Sequence, residues 1–217
     1  MHKGGTFLEI YNLFPGSWHS NCYVLIGSDE DQRRKAIVID PSADARDIVE
    51  FLKEKNARLE YIVLTHGHFD HIMTLDKLRD IANVPAYIHK DDGEMLADGE
   101  KNAYSIFFGE DKAYRPAEKT LQNGDVLTLG CDKLEIIAVP GHSKGSICLL
   151  NQKDGFLITG DTLFASGYGR YDLYGGNIQM LTHSLLYLRD LDENLVIYPG
   201  HGDCEKLGKA LDNLYAF

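Results

Sequence analysis

Paired cysteines are missing from this chain. Its four, Cys22, Cys131, Cys148 and Cys204, are scattered and form no C-x-x-C pair. That excludes the disulfide framework on which small secreted domains depend and favours a reducing, cytoplasmic setting. Long apolar runs are missing too. No stretch approaches the roughly 20 residues that span a bilayer, and Met1–Phe7 lacks the apolar core of a secretory signal. Basic residues are in deficit, 22 Lys and Arg against 33 Asp and Glu, for a net charge of −11. A surface of that sign repels phosphate backbones and anionic lipid, so neither nucleic acid nor membrane is expected as a partner. There is also no internal repeat, low-complexity tract or Pro/Ser linker. Residues 1–217 therefore read as one domain, and at 44% hydrophobic and 25% charged residues the composition is that of an ordinary globular chain.

What is present is concentrated in short motifs. The run Thr65-His66-Gly67-His68-Phe69-Asp70-His71 packs three imidazoles and a carboxylate into the six residues from His66 to His71, directly after the β-branched, apolar Tyr61–Leu64. Imidazole and carboxylate are the donors a divalent transition metal takes. Three further motifs repeat the arrangement of an apolar stretch, then glycine, then one donor. Ile136–Val139 leads to Pro140-Gly141-His142, Phe156–Ile158 to Thr159-Gly160-Asp161, and Leu195–Tyr198 to Pro199-Gly200-His201. If these stretches are strands of packed sheets, their ends can converge on one site.

Between the motifs the pattern is mixed. Strands are expected over Phe7–Leu13, Cys22–Ile26, Ala36–Asp40, Tyr61–Leu64, Ala86–His89, Val126–Leu129, Leu134–Val139, Ser146–Asn151, Gly155–Thr159 and Leu195–Tyr198. The polar Asp29–Arg34 stretch reads as a hairpin turn. Helical spacing marks Ala43–Asn56, with Ser42 or Asp44 as cap. It also marks a helix starting near Asp70 with Ile72, Leu75 and Leu78 on one face, one over Asn177–Asp190, and a last one over Cys204–Leu214. Residues 91–119 are irregular and hold Tyr104, Phe107, Phe108 and Tyr114 among charges.

Taken together, His66, His68, Asp70, His71, His142, Asp161 and His201 resemble the metal-binding signature of the metallo-β-lactamase superfamily. The contexts Pro-Gly-His-Ser-x-Gly-Ser at 140–146, Thr-Gly-Asp-Thr-Leu-Phe at 159–164 and Pro-Gly-His-Gly at 199–202 resemble its glyoxalase II branch, and in particular short, single-domain relatives. The resemblance implies an α/β (α+β) fold, a four-layer αββα sandwich. It implies two Zn2+ ions, with iron or manganese admissible in either position. His66, His68 and His142 would take one ion, Asp70, His71 and His201 the other, and Asp161 would bridge them. Asp70 would also belong to the catalytic group. The implied reaction is hydrolysis of a small-molecule thioester or ester by metal-bound hydroxide, of hydroxyacylglutathione hydrolase type. No serine or cysteine nucleophile, Ser143 and Cys148 included, is then required.

The resemblance also implies a substrate-binding role for Arg170, at the place where glyoxalase II relatives hold the carboxylate of a glutathione thioester. A structural ion pair with Asp172 is the alternative. The relatives carry an aromatic residue where this chain has Asp172, and a further helical region where the residues after His201 leave room for one helix. A mononuclear iron persulfide dioxygenase of the same superfamily is the rival function, and the complete second donor set weighs against it. Asp40, ending a strand before Pro41, is either a turn carboxylate or a partner to a ligand imidazole. His2, His19, His89 and His183 lie outside the motifs and are expected to be ordinary loop or surface residues.

Overall fold

The computed structural model describes residues 8–13 and 20–214. His2, His19 and the Phe7 end of the first expected strand lie outside the described residues. In chain order the elements are β1 (Glu9–Asn12), β2 (Tyr23–Ser28), β3 (Arg34–Ile39), α1 (Ala45–Glu54), β4 (Arg58–Val63), α2 (Phe69–Ile72), α3 (Leu75–Ala82) and β5 (Ala86–His89). A 3-10 turn (Lys90–Met95), α4 (Tyr104–Phe108) and β6 (Lys119–Leu121) follow. The chain continues through β7 (Val126–Leu129), β8 (Asp132–Ala138), β9 (Ile147–Asn151), β10 (Phe156–Gly160), α5 (Ile178–Leu188), β11 (Val196–Pro199), β12 (Glu205–Lys206) and α6 (Leu207–Asn213).

Two six-stranded mixed sheets result, in the orders β1-β2-β3-β4-β5-β6 and β12-β11-β10-β9-β8-β7. The alternation of side chains along each strand explains why both are buried on two faces. In β2 and β3, Tyr23, Leu25, Ile37 and Ile39 point to the second sheet and meet Leu134, Ile136, Leu149 and Ile158. Their neighbours Val24, Ile26, Ala36 and Val38 point the other way, onto Ile48 and Leu52 of α1 and Leu75 and Leu78 of α3. On the far side of the second sheet, Ile137, Cys148, Leu157 and Ile197 pack against Leu188 of α5 and Leu207 and Leu211 of α6. Helices, sheet, sheet, helices is the four-layer αββα arrangement expected.

Most expected elements lie where the pattern puts them. Asp44, the second of the two proposed caps, accepts from Arg46 N at 2.8 Å, and Asn177 caps α5 through Met180 N at 3.0 Å. The helix expected to run on from Asp70 is instead broken into α2 and α3. Thr74 donates from its amide and its hydroxyl to Pro41 O, and from the same hydroxyl to Ala43 O at 2.8 Å. Those bonds pull the chain off the helical path, although Ile72, Leu75 and Leu78 still share the buried face. The final helix starts at Leu207, not at Cys204, because Glu205–Lys206 add an edge strand to β11.

Candidate metal centre

The donors sit where strands end. Leu64 and Thr65 carry the chain from β4 into His66; β8 runs out toward His142, β10 into Asp161 and β11 into His201. β3 ends at Asp40, whose backbone adopts a left-handed φ of 51°. All seven expected residues come together. His66, His68 and His142 form one group of donor atoms within 4.8 Å of each other, His66, His71 and Asp161 a second, and Asp70, His71 and His201 a third. His66 Nε2 and His68 Nδ1 lie 3.1 and 2.9 Å from His142 Nε2. Asp161 stands between the groups, 3.2 Å from His71 Nε2 through one oxygen and 3.7 and 3.5 Å from His142 Nε2 and His201 Nε2 through the other. Asp70 lies 3.1 Å from His201 Nε2.

The outer hydrogen bonds set which nitrogen of each ring faces inward. His142 Nδ1 donates to Arg170 O at 2.7 Å. His71 Nδ1 donates to Asp40 Oδ2 at 2.8 Å. His66 Nδ1 donates at 3.1 Å to Thr65 Oγ1, which itself donates to Asp40 Oδ2 at 2.6 Å. One carboxylate thus orients two imidazoles; His66, His71 and His142 present Nε2 to the centre and His68 presents Nδ1, and either ring nitrogen can hold a metal. The buried His71 Nε2 and Asp161 Oδ1 have no hydrogen-bond partner. Crowded imidazole nitrogens beside orphaned buried donor atoms fit a divalent cation well and little else.

Electrostatics follow from burial and neighbours. Burial, with His142 beside it, pushes His68 down to about 3. Burial and the surrounding imidazoles likewise hold His66 well below the usual histidine value. Burial also works against charging His71, yet Asp161, Asp40 and Asp70 outweigh it and hold its pKa well above the usual value. Burial would raise Asp70 and Asp161, but His71 foremost keeps both below the usual carboxylate range, so both are ionised at neutral pH.

Glycine is required at Gly200: a Cβ there would overlap Asp161 Oδ1 and approach His71 Cε1 to 2.7 Å. Two supports escape the motif pattern. Asp92 is fully buried and joins two donor loops, accepting from Gly67 N at 3.2 Å on one side and from Ser143 Oγ at 2.6 Å and Gly145 N at 2.7 Å on the other. Asn21 donates to Pro199 O and Gly202 O, both at 2.9 Å, bracketing His201. Asn21 precedes an apolar strand and does not follow one, and Asp92 is set off from β5 by Lys90 and Asp91, so neither shows the strand-then-donor pattern that exposes the donors.

The centre opens into a cleft of about 780 Å³. His68, Asp70, His142, Asp161 and His201 line it from the donor set, of which Asp70, Asp161 and His201 have side-chain exposures of 20%, 11% and 38%. Arg170 lines the same cleft, and its guanidinium pairs with both oxygens of Asp172 at 2.7 and 2.8 Å. The ion pair with Asp172, the alternative expected for Arg170, is therefore present, and it lies on the wall of the cleft. Ser143 and Cys148 are fully buried; the serine hydroxyl is committed to Asp92, and burial raises the thiol well above its usual pKa. Neither is poised as a nucleophile. His89 ends β5 and accepts from Asp91 N at 3.3 Å, His183 is exposed on α5, and neither belongs to a donor group.

Comparison with known proteins agrees with this geometry. The family model described as the metallo-beta-lactamase superfamily matches residues 15–201, and the chain belongs to that superfamily. A probable metallo-hydrolase from Bacillus subtilis (strain 168), YqgX, is 35% identical over 86% of this chain and 87% of its own length. The hydroxyacylglutathione hydrolase GloC of Haemophilus influenzae is 29% identical over 89% of this chain and 90% of its own. Among solved structures, the BLEG-1 B3 metallo-beta-lactamase superposes with a TM-score of 0.83 at 32% identity, covering 95% of this chain and 97% of that one. The protein is a metallo-hydrolase of this fold.

Proposed function

We propose that the protein is a binuclear metal-dependent hydrolase of thioesters, with zinc as the resident metal. The observation that carries the reading is the placement of ionised Asp161 between two donor groups, within 3.7 Å of His71, His142 and His201. His66, His68 and His142 would hold one ion, Asp70, His71 and His201 the second, and Asp161 would serve both. When bound, such ions supply a water acidified to a pKa of about 7 and Lewis-acid polarisation of an acyl carbonyl.

The chain's own residues do the rest. Asp70, ionised and partly exposed on the cleft floor, accepts a hydrogen bond from the attacking water and orients it. Asp40 and Thr65 hold the imidazoles of His71 and His66 in the donor tautomer, and Arg170 O does the same for His142. Phe69, between His68 and Asp70, lines the cleft and excludes bulk water from one side. The likeness to GloC supports a thioester as substrate, whereas the likeness to BLEG-1 makes a β-lactam the comparison to run.

The test is metal analysis of zinc-loaded protein and of Asp161→Ala, with turnover of S-lactoylglutathione and of a β-lactam measured side by side. The expected result is two ions per chain, loss of both in the variant, and faster turnover of the thioester. One tightly held ion that survives Asp161→Ala would overturn the binuclear reading. Faster β-lactam than thioester turnover would overturn the substrate class.

A further inference from the structure

One side of the cleft is unlike the rest. Its floor is built from charged and imidazole side chains, but α4 and the residue between two donors give it an aromatic wall. Phe107 and Phe108 of α4 line the cleft with Phe69, their ring centroids each 5.4 Å from that of Phe69. Tyr104 closes the group, 4.6 Å from Phe108 and 5.8 Å from Phe69. Phe107 and Phe108 remain 53% and 55% exposed. Leaving two phenylalanines half in water is unfavourable, and such a patch beside polar groups marks a surface made to be covered.

The wall is held in register with the donors. α4 lies between two left-handed residues, Ala103 at φ 68° and Gly109 at φ 72°. Asn102, fully buried, accepts from Phe69 N through its backbone at 2.9 Å, accepts from Tyr104 N through its side chain at 2.9 Å, and donates to Lys112 O at 2.9 Å. Phe69 N belongs to the segment that carries His68 and Asp70, so Asn102 ties the aromatic wall to the donor cluster. The cation beside this wall is already paired: Arg170 is clamped by Asp172, and its guanidinium carbon lies 5.8 Å from the centre of the Phe107 ring. A free carboxylate entering here would compete with Asp172, whereas a flat or branched apolar group meets three rings.

We infer that the cleft selects substrates whose acyl group is uncharged and apolar, aromatic or branched, and that Phe69, Phe107 and Phe108 form the pocket that holds it. This rests on the hydrolase reading above and names the substrate class of that site.

The experiment uses the zinc-loaded protein and thioesters of one small neutral thiol that differ only in acyl group: acetyl, lactoyl and phenylacetyl. Binding of the matching ketones, with a methylene in place of the thioester sulfur, is measured in parallel. Phenylacetyl should exceed acetyl by at least about tenfold in kcat/KM and bind about tenfold more tightly as the ketone, the range a filled apolar pocket provides. Phe107→Ala/Phe108→Ala should abolish that preference, chiefly through a raised KM for the phenylacetyl substrate. Ile106→Ala, 58% exposed on the same helix but outside the cleft lining, should change nothing and serves as the folding control. Equal rates and equal affinities for acetyl and phenylacetyl, or a preference that survives the double variant, would overturn the inference. Selective ketone binding without turnover of any thioester would uphold the pocket and sink the hydrolase reading, so the two failures are distinguishable.

Discussion

The imidazoles at the centre differ in what they do to stability before any metal binds. His66 and His68 are buried neutral, with pKa values held below that of an unfolded histidine, about 6.5. The unfolded chain therefore takes up protons on them as the pH falls below that value while the folded chain does not. Stability is present above the unfolded pKa and lost on acidification. His71 has the opposite sign: its pKa is raised by Asp161, Asp40 and Asp70 against the effect of burial. Its contribution is complete below the unfolded pKa and lost as pH rises toward the folded one. Metal-free protein should therefore be most stable close to pH 6.5, and its unfolding free energy should fall by about 1.4 kcal/mol per pH unit for each of His66 and His68 as the pH drops toward about 5. Urea unfolding in the presence of chelator, repeated across that range, measures the slope. A flat profile below pH 6.5 would mean that the two rings are not buried neutral.

At the scale of elements, the 3-10 turn between β5 and α4 acts as a strap. Its Asp92 reaches from one donor loop at Gly67 to another at Ser143 and Gly145, and burial holds its carboxyl above the usual range despite those bonds. Asp92→Ala leaves two backbone amides and a hydroxyl short of an acceptor and should cost about 3 kcal/mol. Denaturant unfolding reads that loss, and chelator competition should show weaker metal retention on both sides of the strap. The strap also marks where sequence patterning runs out. The donors were legible because they fall in four short motifs, each following an apolar strand and holding a glycine, and the long strands because both periodicity and β-branching agree. Asp92 sits in Lys90-Asp91-Asp92, where nothing local separates a buried carboxylate from its exposed neighbour. β6 and β12 were illegible for a related reason: three and two residues, mostly polar, become strands only because β5 and β11 offer them an edge. The break at Thr74 likewise depends on carbonyls of Pro41 and Ala43, far off in the chain. Asp40 was readable as a strand-end carboxylate, but its dual hold on Thr65 and His71 emerges only when β3 and β4 lie side by side.

At the scale of the whole molecule, the chain passes from one sheet to the other once, between β6 and β7: strands β1 to β6 build the first sheet and β7 to β12 the second. The seven donors divide along the same line, with His66, His68, Asp70 and His71 before the crossing and His142, Asp161 and His201 after it. Each of the three donor groups draws on both halves, so on the proposed assignment a metal acts as a rivet between two contiguous segments of polypeptide. Cleaving the backbone in the turn at 122–125 should then leave two pieces that recombine when co-expressed, as the inter-sheet apolar faces of Leu25 and Leu149 demand partners. Their dissociation constant, measured by titrating one labelled piece with the other, should tighten on adding zinc and loosen again with chelator. Reassociation indifferent to metal would show that the seven side chains meet without being joined.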